Sequence, residues 1–151
     1  MLQRAYIDTS VLGGQFDEEF KIYTKLFFEE VFNGHYKLIL SDLLITELLG
    51  APENILEFYN SIPKQHVEEI EQTEESIILA EAYLKEKVVG KSSHADCHHI
   101  ALATVNNADI LVSWNFKHIV NINRIRGYNS VNIKNGYRTL EIRSPQEIIL
   151  L

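Results

Sequence analysis

The sequence predicts an α/β fold, a three-layer α/β/α sandwich around a central, mainly parallel sheet. Three observations lead to this prediction. Short apolar segments alternate along the chain with longer segments of helical periodicity. The apolar segments are hydrophobic at nearly every position, as in strands that are covered on both faces. Polar residues directly follow several of these segments, where the carboxyl ends of parallel strands meet.

The composition indicates one ordinary globular domain. The chain has 151 residues, of which 46% are hydrophobic and 23% are charged, and we therefore predict a single domain over residues 1–151. No apolar run approaches the roughly 20 residues of a membrane span, and the N-terminus has no signal-peptide pattern. The single cysteine excludes an internal disulfide. Together these features predict a cytoplasmic protein that does not contact a membrane.

Two strands and three helices are predicted in the first half of the chain. In order, they are a strand at 2–8, a helix after the glycine pair 13–14, a strand at 36–40, a helix from Ser41 or Asp42 to about Gly50, and a helix at 52–60. The glycine pair is expected to break the chain after the first strand. The first helix has a stripe of apolar residues at spacings of three and four, namely Phe20, Tyr23, Phe27 and Val31.

The second half of the chain adds three strands and three helices. In order, they are a weak strand at 67–70, a helix from Thr73 to Gly90, an Ala-rich helix at 94–107, strands at 108–113 and 139–142, and a terminal helix after Ser144. The segment 114–126 is expected to be irregular or helical. The helix after Thr73 has its apolar stripe at Ile77, Ala80, Leu84 and Val88. Pro145 suits the first position of the terminal helix.

Four polar residues are predicted to meet at one edge of the sheet. Asp8 ends the first strand, Glu47 lies on the helix after the second, and Asp96 lies in the first turn of the Ala-rich helix. Asn115 follows the strand at 108–113 by two residues. Each has a simpler interpretation, as a turn residue, a solvated helix residue or a charge at a helix N-terminus. Their shared edge favours one common site.

The chemistry expected at such a site is that of a hard metal ion. Carboxylates that lie together repel each other and are stable as anions only with a cation among them. Oxygen ligands select hard ions, so the pattern predicts Mg²⁺ or Mn²⁺. Such an ion activates water and neutralises phosphate charge, which makes phosphodiester hydrolysis the expected reaction.

Four segments resemble the successive motifs of PIN domains, and most closely those of VapC-type toxins. They are YIDTSVL (6–12), SDLLITELLG (41–50), HADCHHIALA (94–103) and DILVSWNFKHI (109–119). The resemblance covers nearly the whole chain and keeps the order of the motifs. It implies a PIN-like fold and a metal-dependent endoribonuclease that hydrolyses RNA phosphodiester bonds, as the toxin of a type II toxin–antitoxin system.

The same resemblance implies roles for individual residues. Asp8, Glu47 and Asp96 correspond to the acids of the family and are expected to bind the metal, Glu47 either directly or through water. Ser10 corresponds to a small hydroxyl residue of the family and completes the catalytic set. Asn115 stands where the family often has a further acid, and it is expected to position water or ligands. Because Asn115 is neutral, the number of metal ions, one or two, stays open.

The segment HADCHH (94–99) invites a zinc interpretation. His94 and His98 have the spacing of two ligands on one helix face, but zinc sites use three or four protein ligands. The sequence contains no second pair of Cys or His at ligand spacing. Cys97 is expected to be a buried helix residue rather than a nucleophile. His99 shares a face with Asp96 and is a candidate for contact with Asp96 or with substrate.

The charge of the chain is unevenly distributed. The net charge is −7, but residues 115–151 hold 6 Lys and Arg against 2 Asp and Glu. Cations bind phosphate and aromatic rings stack on bases. The candidate RNA contacts are therefore Lys117, Arg124, Arg126, Trp114 and His99. The simpler alternative is that the cations are scattered on the surface and that Trp114 packs against the sheet.

Partners follow from the resemblance more than from the residues. VapC-type proteins imply an RNA substrate, a homodimer and an antitoxin protein. The first predicted helix and the residues before it are rich in aromatic residues, which are numerous enough to cover the sheet and leave an exposed patch. These residues are Phe16, Phe20, Tyr23, Phe27 and Phe28. The sequence does not locate the dimer surface or identify the RNA target.

Three other functions stay open. The first is a catalytically weak PIN-like domain that binds RNA or protein, and the second is a metal-dependent DNA nuclease, since the same chemistry cuts either backbone. The third is a phosphoacceptor regulator, which would need adjacent acids after the first strand and a lysine after a late strand. Here Thr9 follows Asp8, and Trp114 follows Ser113. Metal-dependent cleavage of a panel of RNAs distinguishes the leading hypothesis from a binding domain.

Overall fold

The computed structural model describes residues 2–151, which form five strands and eight helices. The strands are β1 (Gln3–Ile7), β2 (Tyr36–Ser41), β3 (Val67–Ile70), β4 (Ile110–Val112) and β5 (Glu141–Arg143). The helices are α1 (Thr9–Gly14), α2 (Lys21–Phe32), α3 (Asp42–Leu48), α4 (Glu53–Ser61), α5 (Glu74–Lys85), α6 (His94–Val105), α7 (Ile122–Lys134) and α8 (Pro145–Ile149). In this part of the chain no helix is long and apolar enough to cross a bilayer.

All five strands belong to one parallel sheet. The strand order is β3-β2-β1-β4-β5, and every neighbouring pair is parallel. The central strand is β1, in which Tyr6 pairs with Ile39 of β2 and Leu111 of β4. Because all strands run in the same direction, their carboxyl ends lie at the same edge. The predicted α/β class with a parallel sheet is confirmed.

Alternate residues of each strand pack against different helices. On one face, Tyr6 and Ile39 belong to a core built with residues of α5, α6 and α7. On the other face, Ala5 and Leu38 belong to a core built with residues of α1 to α4 and α8. The strands are covered on both faces, which explains why they are hydrophobic at nearly every position. The result is the predicted three-layer α/β/α sandwich.

Several helices begin at the predicted caps. Ser41 Oγ accepts the backbone N–H of Leu44 at 3.1 Å, which starts α3. Thr73 caps α5 in a reciprocal capping box. Ser144 does the same for α8, with Pro145 in the first turn. These local signals are strong because each side chain satisfies a backbone N–H that has no partner within the helix.

The expected chain break at residues 13–14 is wrong, since both glycines lie in α1. Gly14 is buried, and a Cβ at this position would come within 2.7 Å of Thr24 Oγ1 and Trp114 Nε1. Glycine is therefore needed here for the close approach of two side chains and not for a turn.

The predicted helix from Thr73 to Gly90 ends earlier, and its predicted apolar stripe is only partly confirmed: Ala80 is buried, and Leu84 and Val88 are partly buried against the core. Its last residue is Lys85, and Ile77 of the predicted stripe is 40% exposed. Leu79 and Tyr83 are buried instead. Helix α5 packs against both α6 and α7, so the positions of these neighbours decide which face is covered. In the segment 114–126, α7 begins only at Ile122, and its first turn is capped by Asn121.

Candidate metal centre at the carboxyl edge of the sheet

The carboxyl edge of the sheet brings together five residues from four parts of the chain. Asp8 and Ser10 follow β1, Glu47 lies on α3 after β2, and Asn115 follows β4. Asp96 reaches the same edge from the first turn of α6, because the far end of α6 leads into the amino end of β4. Hydrogen bonds connect the three carboxylates through neighbouring residues: Thr9, directly after Asp8, donates to Glu47. Ser113 donates to Asp8, and Asn115, two residues later, donates to Asp96.

Two hydroxyl groups hold the Asp8 carboxylate, which is only 5% exposed. Ser10 Oγ donates to Oδ1 at 2.5 Å, and Ser113 Oγ donates to Oδ2 at 2.6 Å. Each hydroxyl also accepts a backbone N–H from the loop after β4, from Trp114 to Ser10 and from Asn115 to Ser113, both at 2.9 Å. Burial raises the pKa of Asp8 even though these hydrogen bonds favour the charged form.

The Glu47 carboxylate is anchored through one oxygen. Oε1 accepts the Thr9 hydroxyl at 2.6 Å and lies 2.8 Å from His99 Nε2. Burial acts to raise the pKa of Glu47, but the hydrogen bonds from His99 and Thr9 outweigh it and lower the pKa. Glu47 is therefore an anion at neutral pH.

Asn115 contacts the third carboxylate. Its Nδ2 donates to Asp96 Oδ1 at 3.3 Å, while its Oδ1 accepts the backbone N–H of His118 at 2.9 Å. Burial raises the pKa of Asp96, and the nearby charge of Asp8 raises it further. The amide of Asn115 thus connects Asp96 to the loop after β4, and its oxygen already has one donor.

The carboxylates of Asp8, Glu47 and Asp96 are the kind of ligand that a hard divalent cation prefers. Burial and the charges of other carboxylates raise the pKa of Asp8 and of Asp96, and a cation bound near them would offset both effects. All three charged groups present oxygen, the ligand that Mg²⁺ and Mn²⁺ prefer. Within residues 2–151, no three Asp, Glu, His or Cys side chains lie close enough together to hold one ion. Binding of one cation by all three carboxylates would therefore require them to lie closer together than they do in this structure.

The histidine pair of HADCHH forms a separate hydrogen-bonded group. His94 Nε2 and His98 Nε2 lie 3.3 Å apart, and His98 Nδ1 lies 3.1 Å from the Gln72 amide nitrogen. Burial and the neighbouring His94 lower the pKa of His98. Cys97 is buried, and burial raises the pKa of its thiol to about 12, which makes it an inert core residue.

Two of the predicted RNA contacts are buried. Trp114 is 6% exposed, its indole N–H donates to Thr24 Oγ1 at 2.8 Å, and its ring stacks on Phe20. His99 is 3% exposed and contacts Glu47 instead of Asp96 or solvent. Neither side chain presents a free ring face at the surface, so their positions do not favour RNA contact.

Of the three basic residues predicted to contact RNA, one forms a hydrogen bond within the protein and two are exposed. Arg124 donates from Nη1 to the backbone carbonyl of Val88, which makes it a structural residue. Lys117 and Arg126 are exposed and make no hydrogen bond or ion pair with residues 2–151. Lys117 and Arg126 are therefore the cations of this group that are available to a phosphate.

Three residues of the site were not among the predicted candidates. Ser113 follows β4 as Asp8 follows β1, and the register pairs Ile7 with Val112, so the two residues are direct neighbours. This signal was present in the order of the elements. Thr9 is adjacent to Asp8 in sequence, but its bond to Glu47 depends on how α1 and α3 pack. Tyr6 binds His99 at 2.6 Å across the interior, which no local pattern indicates.

No family model matches the sequence, and no curated protein matches it. A search of solved structures finds the crystal structure of VapBC2 from Rickettsia felis bound to a DNA fragment from their promoter. The match has a TM-score of 0.57 at 13% sequence identity, and it covers 94% of this chain and 98% of that chain. At this identity the likeness concerns the fold, and it confirms the VapC-like, PIN-like fold.

A second solved structure is similar over part of its length. The tyrosyl-tRNA synthetase from Aeropyrum pernix matches with a TM-score of 0.48 at 9% identity, over 95% of this chain and 53% of that chain. This similarity is too low to carry an argument about fold or function.

Proposed function

We propose that the protein is a Mg²⁺- or Mn²⁺-dependent endoribonuclease and acts as the toxin of a type II toxin–antitoxin system. The observation that supports this proposal best is the set of three carboxylates that hydrogen bonds from Thr9, Ser113 and Asn115 hold at the carboxyl edge of a PIN-like sheet. Burial raises the pKa of Asp8 and of Asp96, and the charge of Glu47 raises both further. A cation among the three carboxylates would favour their charged forms.

The residues of the site have distinct tasks in this proposal. Asp8 and Asp96 hold the cation, together with Glu47. When bound, the cation supplies a Lewis acid that neutralises charge on the scissile phosphate. Ser113 fixes the second oxygen of Asp8, and Asn115 fixes the orientation of Asp96 from the adjacent loop. These hydrogen bonds restrict the orientation of Asp8 and of Asp96 at the sheet edge.

RNA is proposed to approach across the loop after β4. Lys117 and Arg126 are exposed and unpaired within residues 2–151, and they lie on the chain segment that also carries Asn115. Phe116, which directly precedes Lys117, is 45% exposed and offers a ring for base stacking. These side chains support an electrostatic and stacking contact with a single-stranded RNA.

An antitoxin and a second copy of the chain are the proposed protein partners. The similar VapBC2 structure was solved bound to a DNA fragment from their promoter. Of the aromatic residues near the N-terminus, Phe27 and Phe28 are buried, but Phe16 is 43% exposed. Leu49 at the end of α3 is 81% exposed. Exposed apolar side chains of this kind favour a protein contact, although single ones also occur on monomers.

The proposal is tested by cleavage of a panel of RNAs and single-stranded DNAs in Mn²⁺ or Mg²⁺. We expect Asp8→Asn and Asp96→Asn to abolish metal-dependent RNA cleavage and to keep the circular dichroism spectrum of the wild type. Glu57→Gln removes an exposed acid on α4 and serves as the control with unchanged cleavage.

Three results would contradict parts of the proposal. Unchanged cleavage by either aspartate variant would exclude the proposed metal centre. Equal cleavage of DNA would indicate a nuclease that does not select RNA. RNA binding without cleavage by the wild type would indicate a PIN-like binding domain.

A further inference from the structure

Glu47 offers its two carboxylate oxygens unequally. Both of its hydrogen bonds, from Thr9 at 2.6 Å and from His99 at 2.8 Å, go to Oε1. Oε2 has no hydrogen-bond partner within residues 2–151. The side chain is 32% exposed, so water or an ion can reach it. The carboxylate is thus held by one oxygen and leaves the other for a ligand.

The imidazole of His99, which contacts Glu47, has a second hydrogen-bond partner in the protein interior. His99 is 3% exposed, and its Nδ1 lies 2.6 Å from Tyr6 Oη. Tyr6 is completely buried, and its Oη also lies 2.9 Å from Ser41 Oγ. Ser41 Oγ in turn accepts the backbone N–H of Leu44 at 3.1 Å, the bond that caps α3. A buried chain of hydrogen bonds therefore connects β2, β1, α6 and α3.

The chemistry of the groups fixes the direction of this chain. The Glu47 carboxylate only accepts, so His99 Nε2 must carry a proton and donate it. With a proton on Nε2 alone, Nδ1 is an acceptor, to which Tyr6 donates its single proton. Ser41 then donates to Tyr6, which gives each of the four groups a partner. Burial raises the pKa of Tyr6 well above its ordinary value, so the phenol keeps its proton.

The strand geometry explains why Tyr6 is at this place. Residues two apart in a strand point to the same face of the sheet. Tyr6 and Asp8 therefore share the face that α6 covers, and α6 carries both Asp96 and His99. Two residues on this face of β1 therefore contribute to the site: Asp8 directly, and Tyr6 through its contact with His99, which contacts Glu47.

We propose that His99 is the positioning residue of this site: Tyr6 and Ser41 hold it as the Nε2–H tautomer, and it fixes Oε1 of Glu47 so that Oε2 is presented to the divalent cation. This inference rests on the proposed metal-dependent function. It differs from a direct role for His99 in RNA binding, since the ring is buried. Partners behind a metal ligand of this kind change metal affinity by about 10- to 100-fold when they are removed.

The first measurement is Mn²⁺ affinity by titration calorimetry. His99→Leu is expected to weaken Mn²⁺ binding by about 10- to 100-fold. His99→Gln restores an N–H donor near the position of Nε2 and is expected to recover most of the affinity, which a role in packing alone would not predict. Tyr6→Phe tests whether the hydrogen bond between Tyr6 and His99 contributes to metal affinity. Its control is Tyr83→Phe, which removes another fully buried hydroxyl, bound to Asn132, on the same face of the sheet.

The second measurement is the tautomer of His99 in metal-free protein, read from its ¹⁵N chemical shifts. The wild type is expected to show protonated Nε2 and unprotonated Nδ1. Tyr6→Phe removes the donor to Nδ1 and is expected to mix the tautomers, whereas Tyr83→Phe leaves them unchanged. A wild-type ring protonated at Nδ1 alone would overturn the proposed chain.

The outcomes separate this inference from the proposed function. Equal Mn²⁺ affinity of folded His99→Leu and wild type would overturn the positioning role while the nuclease proposal stands. Equal affinity of Tyr6→Phe and wild type, with an unchanged tautomer, would overturn the support by Tyr6. A wild type that binds no Mn²⁺ and cleaves no RNA would overturn the proposed function and with it the role of Oε2.

Discussion

Ser10 and Ser113 show how hydroxyl groups allow a carboxylate to be buried. Each serine hydroxyl accepts a backbone N–H of the loop after β4 and donates to one oxygen of Asp8. A carboxylate accepts and cannot donate, so two donors directed at its two oxygens stabilise its charged form. The same bonds fix the loop that carries Asn115, and they join the candidate site to the sheet.

Gly14 has an equally local but steric role. A Cβ at Gly14 would lie 2.7 Å from Trp114 Nε1 and from Thr24 Oγ1, the two atoms that form a hydrogen bond of 2.8 Å. Trp114 directly follows Ser113, so displacement of the indole also disturbs the loop beside Asp8. Glycine at this position keeps both the packing and the site in place.

We predict that Gly14→Ala destabilises the protein by about 1–2 kcal/mol, because overpacking costs more than the gain in helix propensity. The measurement is urea unfolding. Gly50→Ala is the control, since a Cβ at Gly50 meets no atom within 4 Å, and its expected effect is about 0.5 kcal/mol or less. Equal stability of the two variants would show that the indole moves aside at little cost.

Among the elements of the fold, Arg4 connects three parts of the sandwich. Its guanidinium, on β1, donates to both carboxylate oxygens of Glu68 on β3, at 2.8 and 2.9 Å. It also donates to the carbonyls of Asn106 and Asn107 at the end of α6. The hydrogen bonds of Arg4 lower the pKa of Glu68, although partial burial opposes this. Arg4 thus joins β1, β3 and the end of α6 at the amino end of the sheet, opposite the candidate metal centre.

This ion pair predicts a pH-dependent stability. Because the folded-state pKa of Glu68 is below its ordinary value of 4.5, the contribution is complete above that pH and is lost as pH falls through the lower folded-state value. Glu68→Gln is expected to cost about 0.5–1 kcal/mol at pH 7, since the pair is a third exposed, and nothing once the carboxyl is protonated. Urea unfolding from pH 2.5 to 7 measures the difference.

The matched control for this prediction is Glu29→Gln, an exposed acid on α2 without a side-chain hydrogen bond in the described residues. A Glu68→Gln variant as stable as this control at pH 7 would show that the Arg4 pair contributes no net stability.

The elements also show where sequence reasoning succeeds and where it fails. The strands and most helix starts were predictable, since a run of apolar residues and an N-cap are properties of neighbouring residues. The buried face of α5 was only partly predictable: Ala80 was predicted, but Leu79 and Tyr83 are buried because α5 packs against α6 and α7. The helical state of Gly13 and Gly14 was not predictable for the same reason, since α1 is stabilised by its contacts and not by its own propensity.

Across the entire protein, the important contrast is between an acidic chain and its basic end. The net charge of −7 opposes binding of a polyanion, so the proposed contact with RNA must be local. Lys117 and Arg126 are free of partners within residues 2–151 and lie close in sequence to Asn115 at the site. The three carboxylates would repel phosphate unless a cation were bound, so the proposed function predicts that RNA binding depends on metal binding.

We predict that Lys117→Ala and Arg126→Ala each weaken RNA binding and lower the slope of its salt dependence by about one, as expected when one phosphate is no longer neutralised. Lys64→Ala is the control, because Lys64 is exposed but precedes β3 at the amino edge. Fluorescence anisotropy with a labelled RNA between 50 and 300 mM salt, roughly the range in which phosphate binding weakens, provides the measurement. Salt slopes unchanged in both variants would place the RNA elsewhere on the surface.

The α/β class, the parallel sheet and the residues that follow its strands were evident from the sequence, because periodicity and polar residues at strand ends are local features. The pairing of distant residues became evident only in the folded structure. Ser113 donates to Asp8, and His99 contacts both Glu47 and Tyr6. Arg124 and Trp114 form hydrogen bonds within the protein, to Val88 and Thr24. These contacts join residues far apart in the chain, and they depend on how the layers pack. The segment HADCHH thus contributes an acid, Asp96, and a buried histidine, His99, whose partner no spacing within the segment predicts.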